Sequence, residues 1–463
     1  MRAGSAAPPP TPAALVLGRK PHPSTDALAA TLAAALLGAK TWSKTDMIEV
    51  GARALGARRR WLGPLASEIL SSYPRAPTDA PRELAAHITG CTAFSNAVEE
   101  ATSRGVPITI ASYPLTPPQA GAVTSALPRL DTLGDLAALL GLTPGELDWF
   151  ADTGHWNRRA RPGVLHHYRY EWRARPGRTP RLLEVPGTRL RALQRTLLND
   201  LLGLIPAHPA AHGFVPGRSA VTGAARHTGA AVVISLDLTS FFASVSAQNI
   251  YGTLRRVGYP EAVAYSLTGL CTHAVPPRVI AAMPPGGDPG ERAALRRALA
   301  SAHLPQGAPT SPVLGNLAIR RLDARLDGWA EAAEATYTRY ADDLAFSGGD
   351  ALHRRADAFV RGVTRLVTAE GHTVNPHKTR VRPASVRQSV TGIVVNARPN
   401  LVRVEADRLK AIVHNCVVHG PAGQNRGAHP DFRAHLLGRI SWVEQLNPQR
   451  GARLRATFAR IRW

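Results

Sequence analysis

An α+β fold is what this sequence predicts, and three observations carry the prediction. Ala231-Val232-Val233-Ile234-Ser235-Leu236-Asp237 is a near-continuous apolar run, the pattern of a strand buried on both faces. Ala335 to Arg339, rich in Thr and Tyr, and Leu344-Ala345-Phe346-Ser347 read as the two strands of a hairpin closed by Gly348-Gly349. Helical periodicity accompanies them, with Leu314, Leu317, Ala318, Leu322 and Leu326 on one face of a core helix.

Residues 1–152 are expected to form a helical N-terminal extension. Its opening is Pro-rich (Pro8-Pro9-Pro10), a composition that builds no core and is expected to be disordered. Ala27 to Ala39 is the most apolar early run, but it is too short and Ala-rich to span a bilayer and lacks signal-peptide flanks. With Ser24 as cap and Gly38 as stop, it reads as an ordinary core helix. Pro and Gly interrupt the later helical patterns near 74–81 and 105–118. Leu133 to Leu147 reads as helix, tight turn, helix. The second helix is short and carries no basic side chain, so packing is expected of it rather than DNA contact.

Residues 153–398 are expected to hold the chemistry. Asn157-Arg158-Arg159-Ala160-Arg161 opens the segment, and His166 to Arg175 interleaves Tyr168, Tyr170 and Trp172 with Arg169, Arg173 and Arg175. That alternation suits stacking on bases and pairing with phosphate, and equally suits a two-faced strand. Arg181 to Pro186 leads into a helix over Leu190 to Leu202. In His212 to Ser219, glycines on both sides of Phe214 and Pro216 indicate a shaped loop, whose Arg218 suits either phosphate or a structural ion pair. Ala274 to Ala302 reads as an insertion without evident chemistry. Pro305, Pro309 and Pro312 shape a loop in which Gly307, beside Gln306, permits close backbone approach. Gly371 to Thr379 follows a long amphipathic helix, and Val390 to Asn396 reads as a hairpin bent at Gly392. Residues 399–463 read as helices over Val404–His419 and Phe432–Gln445, with a basic end at Arg450, Arg453, Arg455, Arg460 and Arg462.

Tyr340-Ala341-Asp342-Asp343 places two adjacent carboxylates at the tip of the hairpin, where they repel unless a cation neutralises them. Mg²⁺ prefers oxygen ligands and suits such a site. Asp237 ends the buried strand just before Phe241-Phe242, and the three carboxylates together are what two-metal phosphoryl transfer needs. A lone Asp usually caps a turn, which explains the joint pattern poorly.

Composition is consistent with this chemistry. Lys and Arg number 56 against 33 Asp and Glu, a formal charge of +23 that attracts phosphate backbones, although an Arg-rich proteome produces the same balance. Cys91, Cys271 and Cys416 lie too far apart in sequence for a Cys-x-x-Cys pair, so neither a disulfide framework nor a zinc site is expected, and a reducing cytoplasm is.

Taken in order, Asp237 with Phe241-Phe242, Leu304-Pro305-Gln306-Gly307-Ala308-Pro309-Thr310-Ser311-Pro312 and Tyr340-Ala341-Asp342-Asp343 resemble the motifs of reverse transcriptases. The resemblance is closest to the bacterial retron and retron-like branch and covers roughly the last two-thirds of the chain. It implies a right-hand polymerase: fingers and a ferredoxin-like palm within 153–398, a helical basic thumb over 399–463 gripping duplex by shape and phosphate, and the extension over 1–152. It implies RNA-directed DNA synthesis, with Asp237, Asp342 and Asp343 holding two Mg²⁺ ions for which Mn²⁺ can substitute. Phe242 would lie under the sugar of the incoming nucleotide and exclude a 2′-hydroxyl, leaving Phe241 or Phe242 as a core aromatic. Gln306 and Gly307 would contact the nascent pair, Arg181 the triphosphate, and Lys378 the departing pyrophosphate, unless Lys378 is a solvated surface lysine.

Arg218 would help hold the template. So would His227, in a Gly223-Ala224-Ala225-Arg226-His227 segment that matches the family's Asn-Ala-x-x-His except at Gly223. Val390-Thr391-Gly392 resembles a signature linked to recognition of the cognate RNA. The implied partners are a structured RNA template, the RNA/DNA hybrid, dNTPs and an effector or toxin protein encoded nearby, with no membrane. The implied biology is RNA-linked single-stranded DNA, primed from a 2′-hydroxyl, in anti-phage defence. A defence polymerase without a retron RNA is the alternative that Gly223 favours, and an RNA-binding scaffold with an inactive fold is disfavoured by the intact carboxylates and Gln306. No Cys/His endonuclease module is expected after the thumb, unlike in group II intron proteins.

Overall fold

The computed structural model describes residues 24–112, 127–159, 163 and 165–463. Pro8-Pro9-Pro10, Ala160, Arg161 and much of the break expected near 105–118 lie outside them. The chain divides into two compact units, Met1–Gly121 and Ala122–Trp463.

The first unit is helical: Thr25–Leu37, Lys44–Leu55, Leu62–Ser72, Pro81–Gly90 and Thr92–Ser103. The Ser24 hydroxyl accepts from the Ala27 N–H at 3.2 Å, and Gly38 closes the first helix, as its sequence predicts. Leu28, Leu32 and Leu36 bury against Leu55, Leu65, Ile69 and Phe94. Among the described residues no helix is long and apolar enough to cross a membrane. Cys91, Cys271 and Cys416 are free and buried.

The second unit carries eight strands among its described residues: β1 Tyr168–Arg175, β2 Arg178–Pro186, β3 Val232–Asp237, β4 Thr336–Tyr340, β5 Asp343–Gly348, β6 Arg380–Pro383, β7 Ser389–Val390 and β8 Ile393–Val394. β1 and β2 form an antiparallel hairpin, as do β7 and β8. The central sheet has the order β4-β5-β3-β6, with every neighbour antiparallel. Helices connect β3 to β4 and β5 to β6, so the chain runs β-α-β-β-α-β, the ferredoxin-like arrangement. Ile234 and Leu236 face a core shared with Leu314, Leu322, Leu326, Phe346, Phe359 and Val363. The single helix expected over Leu314–Leu326 is two, Ser311–Ala318 and Arg320–Glu331, broken at Ile319.

The helix pair within the expected 1–152 extension belongs to this second unit. Leu133–Leu140 and Pro144–Ala151 turn at Gly141 in the left-handed region, and each begins with a capping box. Leu136, Leu140, Leu147 and Phe150 enter the same core as the sheet, so the unit begins at Ala122 rather than 153. Gly269, on the helix Glu261–Cys271, makes the close approach possible. A Cβ there would stand 2.0 Å from the Ala151 carbonyl. At the C-terminal side, Arg403–His419, Phe432–Leu446 and Pro448–Phe458 pack around Leu409, Val413, Ile440 and Leu454.

Gly269→Ala is expected to destabilise the unit by about 1–3 kcal/mol through overpacking. Thermal unfolding reads the loss, and limited proteolysis should then cut first within residues 133–151.

Candidate active site

Antiparallel register brings the carboxylates together. Asp237, the last residue of β3, stands opposite Asp343, the first of β5, and the Leu238 N–H donates to the Asp342 carbonyl at 2.9 Å. The turn between β4 and β5 bends through Ala341 at φ 54°, a conformation that is costly for a residue with a Cβ. Arg339 holds it there. Its Nη1 donates to the Ala341 carbonyl at 3.1 Å and to Asn316 Oδ1 at 2.8 Å, while Nε and Nη2 grip the Asp323 carboxylate at 2.8 and 2.6 Å. Tyr337 adds a hydroxyl bond to Asp323 at 2.9 Å, and both charged side chains are fully buried.

Behind the turn lies the loop 208–219. The Arg339 N–H donates to Ala210, and the His212 N–H donates to Arg339, at 2.8 and 2.7 Å. Arg218 Nη1 gathers the carbonyls of His208, Pro209 and Ala211 at 3.1, 2.8 and 2.7 Å. Its structural alternative therefore holds, with carbonyls in place of a carboxylate. Gly223 presses on His212, where a Cβ would approach to 3.2 Å, which accounts locally for the departure from Asn.

One cavity of about 780 Å³ unites most of the site residues: Asp237, Asp342, Asp343, Phe242, Gln306, Arg181 and Lys378. Lys378 Nζ lies 2.6 Å from Asp237 Oδ2, so it is neither free nor simply solvated. Both phenylalanines line the cavity, Phe241 buried and Phe242 half-buried. Desolvation, then the Asp237 charge, raises the Asp342 pKa. Desolvation and the adjacent Asp342 and Asp237 charges push Asp343 up to about 6. Three arginines missed as a group, Arg175, Arg178 and Arg181, line the same cavity from the β1–β2 hairpin. Burial, then Arg181 and Arg178, lowers the Arg175 pKa. Their even spacing around Pro176-Gly177, a turn signal, was the clue available in sequence.

Among the described residues no three His, Cys, Asp or Glu side chains are drawn together tightly enough to be a metal group. The donor set still fits a hard divalent cation. It is made of carboxylate oxygens, two of them on groups whose charged form is disfavoured until a positive charge arrives.

Three expectations need correction. His227 is fully buried, bonding Ser347 Oγ and Thr338 Oγ1 at 2.7 Å each, so it ties its loop to the sheet and cannot touch a template. Val390 is 4% exposed and packs with Ile393 and Val395, leaving Thr391 and Gly392 at the hairpin tip. Both tip residues have positive φ, 47° and 81°, and the Thr391 hydroxyl has no protein partner. That tip lines a second cavity of about 440 Å³ that also reaches Asp343 and Lys378. Gly307, at φ 138°, serves β2 rather than the cavity, because a Cβ would stand 2.8 Å from the Glu184 carbonyl.

A ferredoxin-like sheet with paired carboxylates at its hairpin tip and a cationic hairpin on the same cavity defines a right-hand nucleic-acid polymerase. Residues 175–393 match the family described as reverse transcriptase (RNA-dependent DNA polymerase). The chain is 40% identical over 350 residues to the retron Mx65 reverse transcriptase of Myxococcus xanthus, covering 73% of this chain and 74% of that one. It is 36% identical over 344 residues to the retron Mx162 reverse transcriptase of the same organism, covering 71% and 67%. To the retron Ec86 reverse transcriptase of Escherichia coli it is 28% identical over 242 residues, covering 52% and 66%. The chain belongs to the retron reverse transcriptases and is an RNA-directed DNA polymerase.

The buried His227 makes a pH prediction. Burial holds its pKa at about 4 against an ordinary 6.5, so the folded state favours the neutral ring. A depressed pKa contributes stability that is present above 6.5 and lost as pH falls toward 4. Urea denaturation should lose up to roughly 3 kcal/mol across that window. His227→Gln should start less stable at neutral pH and show a flatter decline.

Proposed function

We propose that the protein copies a structured RNA into DNA by two-metal nucleotidyl transfer, a reading carried by one observation: three carboxylates and three arginines line a single cavity. Asp237, Asp342 and Asp343 would hold two Mg²⁺ ions, with Mn²⁺ as a substitute, which when bound activate the primer hydroxyl and neutralise the triphosphate. Arg181, with Arg175 and Arg178, binds the phosphates of the incoming dNTP. Phe242 packs under the sugar and rejects a 2′-hydroxyl, while Phe241 supports it from the core. Gln306 faces the nascent base pair. Lys378 leaves Asp237 as the site fills and gives its proton to the departing pyrophosphate.

The Thr391-Gly392 tip, on the cavity that also reaches Asp343 and Lys378, is assigned to the nucleic acid leaving the site. The basic helices after residue 402 are assigned the thumb role, gripping the RNA/DNA hybrid by shape and phosphate. The product is single-stranded DNA joined to its RNA template, made in the cytoplasm and used in anti-phage defence with an effector encoded nearby. Kinship with retron reverse transcriptases supports this over a defence polymerase without a dedicated RNA.

Sequencing of nucleic acid that copurifies from the native locus tests the proposal. One discrete RNA joined to complementary DNA is expected, and heterogeneous or untemplated DNA would contradict the retron reading. Asp342→Asn should retain the RNA and lose the DNA. In primed RNA-template assays with dNTPs it should lose at least roughly a thousandfold in rate. Full DNA yield from the variant would contradict the assigned role of the carboxylates.

A further inference from the structure

Strand β2 and the Gln306–Gly307 turn meet at Glu184, whose side chain has no part in the chemistry assigned above. The Glu184 N–H donates to the Gln306 carbonyl at 2.9 Å, and Gly307 lies against the Glu184 carbonyl. The Glu184 carboxylate, 2% exposed, meets His303 Nε2 at 3.1 Å, and that ring is 1% exposed. On its other side, His303 Nδ1 meets the Ser301 carbonyl at 2.7 Å. With Glu184 ionised, both ring nitrogens face acceptors, an arrangement that the doubly protonated imidazolium satisfies.

Dependence runs both ways. Glu184 Oε2 is buried without a protein partner, so His303 is the side chain that compensates this carboxylate. An unpaired buried charge would be far costlier than the pair. The His303 backbone is held in turn by His273, through bonds of 3.0 Å in both directions, and the Leu304 N–H by the Val245 carbonyl at 3.1 Å. Arg181 lies three residues before Glu184 on the same strand. Arg181, Glu184 and Gln306 all line the catalytic cavity.

We propose that Glu184 and His303 are a positioning pair for the incoming nucleotide: their buried ion pair clips β2 to the Gln306 turn and so fixes where Arg181 and Gln306 stand in the cavity. The proposal rests on the polymerase reading of that cavity. Positioning of this kind matters because small misplacements of binding groups are expensive in rate and affinity.

The groups around the His303 ring are Glu184 from β2 and His273 from the segment after the helix Glu261–Cys271. Tyr170 of β1 bonds His273 rather than His303. Burial opposes charge on His303, but the Glu184 carboxylate and the Ser301 carbonyl outweigh it and raise its pKa. His273 is held well below the ordinary value, chiefly by burial, and stays neutral. The clip therefore loses its proton as pH rises through the raised His303 pKa.

The test uses the full chain on a defined RNA template with a DNA primer, measuring dNTP KM, kcat and template–primer affinity across about pH 6 to 10. In the wild type, dNTP KM should climb on the alkaline side. Glu184→Gln and His303→Gln should each raise KM roughly tenfold and abolish that climb, with kcat and template–primer affinity within about threefold. Folded variants with an unchanged dNTP KM would overturn the proposal, and so would an equal loss of template–primer affinity. If neither variant folds, the wild-type profile decides, and a flat KM overturns it. A wild type that makes no DNA on any template sinks the polymerase reading instead. Equilibrium dialysis of labelled dNTP across the same pH range then reads the clip directly, and flat affinity overturns it.

Discussion

The Arg339–Asp323 ion pair is the contact on which the catalytic end of the molecule depends. It is wholly buried, so neither charge is exposed to solvent, and its guanidinium makes two parallel bonds to one carboxylate. What makes it more than a core salt bridge is its remaining donor. Nη1 reaches Asn316 and the carbonyl of Ala341, the residue whose positive φ turns the chain between Tyr340 and Asp342. A lysine could not make this set of bonds, because it lacks the planar fork. The loop drawn together by Arg218 closes the back of the same turn through Ala210 and His212.

The front of the turn is governed by unrelieved charge. Desolvation and then the Asp237 charge raise the Asp342 pKa, and desolvation with the Asp342 and Asp237 charges raises that of Asp343. Arg175 is disfavoured in the opposite sense by burial and by Arg181 and Arg178. Two clusters of like charge in one cavity suit a ligand that carries both signs, an anionic triphosphate with its cations. Lys378 on Asp237 relieves part of the carboxylate repulsion in the meantime.

Much of this was legible in sequence, for a definite reason. β3 and the β4–β5 hairpin are short, almost continuously buried strands bounded by turn residues, and the Asp positions follow from where those strands end. What escaped was which side of the backbone a residue faces. His227 has the composition of a ligand contact, yet its partners Thr338 and Ser347 lie on strands over a hundred residues away. Val390 and Gly307 likewise serve packing that a local motif does not display. The 274–302 insertion proved to be a buttress. Val275, Met283, Leu295 and Leu299 pack on Leu182 of β2, and Trp172 of β1 bonds the Val279 carbonyl. Only the assembled fold brings those residues beside the hairpin.

A cation centre for nucleotide transfer on RNA is the role proposed for these carboxylates. Electron paramagnetic resonance of Mn²⁺, titrated into protein bearing an RNA template, a DNA primer and a non-reactive dNTP analogue, addresses it most directly. Tightly held Mn²⁺ is expected in the wild type, and its loss is expected on the change Asp237→Asn. Equal Mn²⁺ retention by both proteins, or none by either, would contradict it.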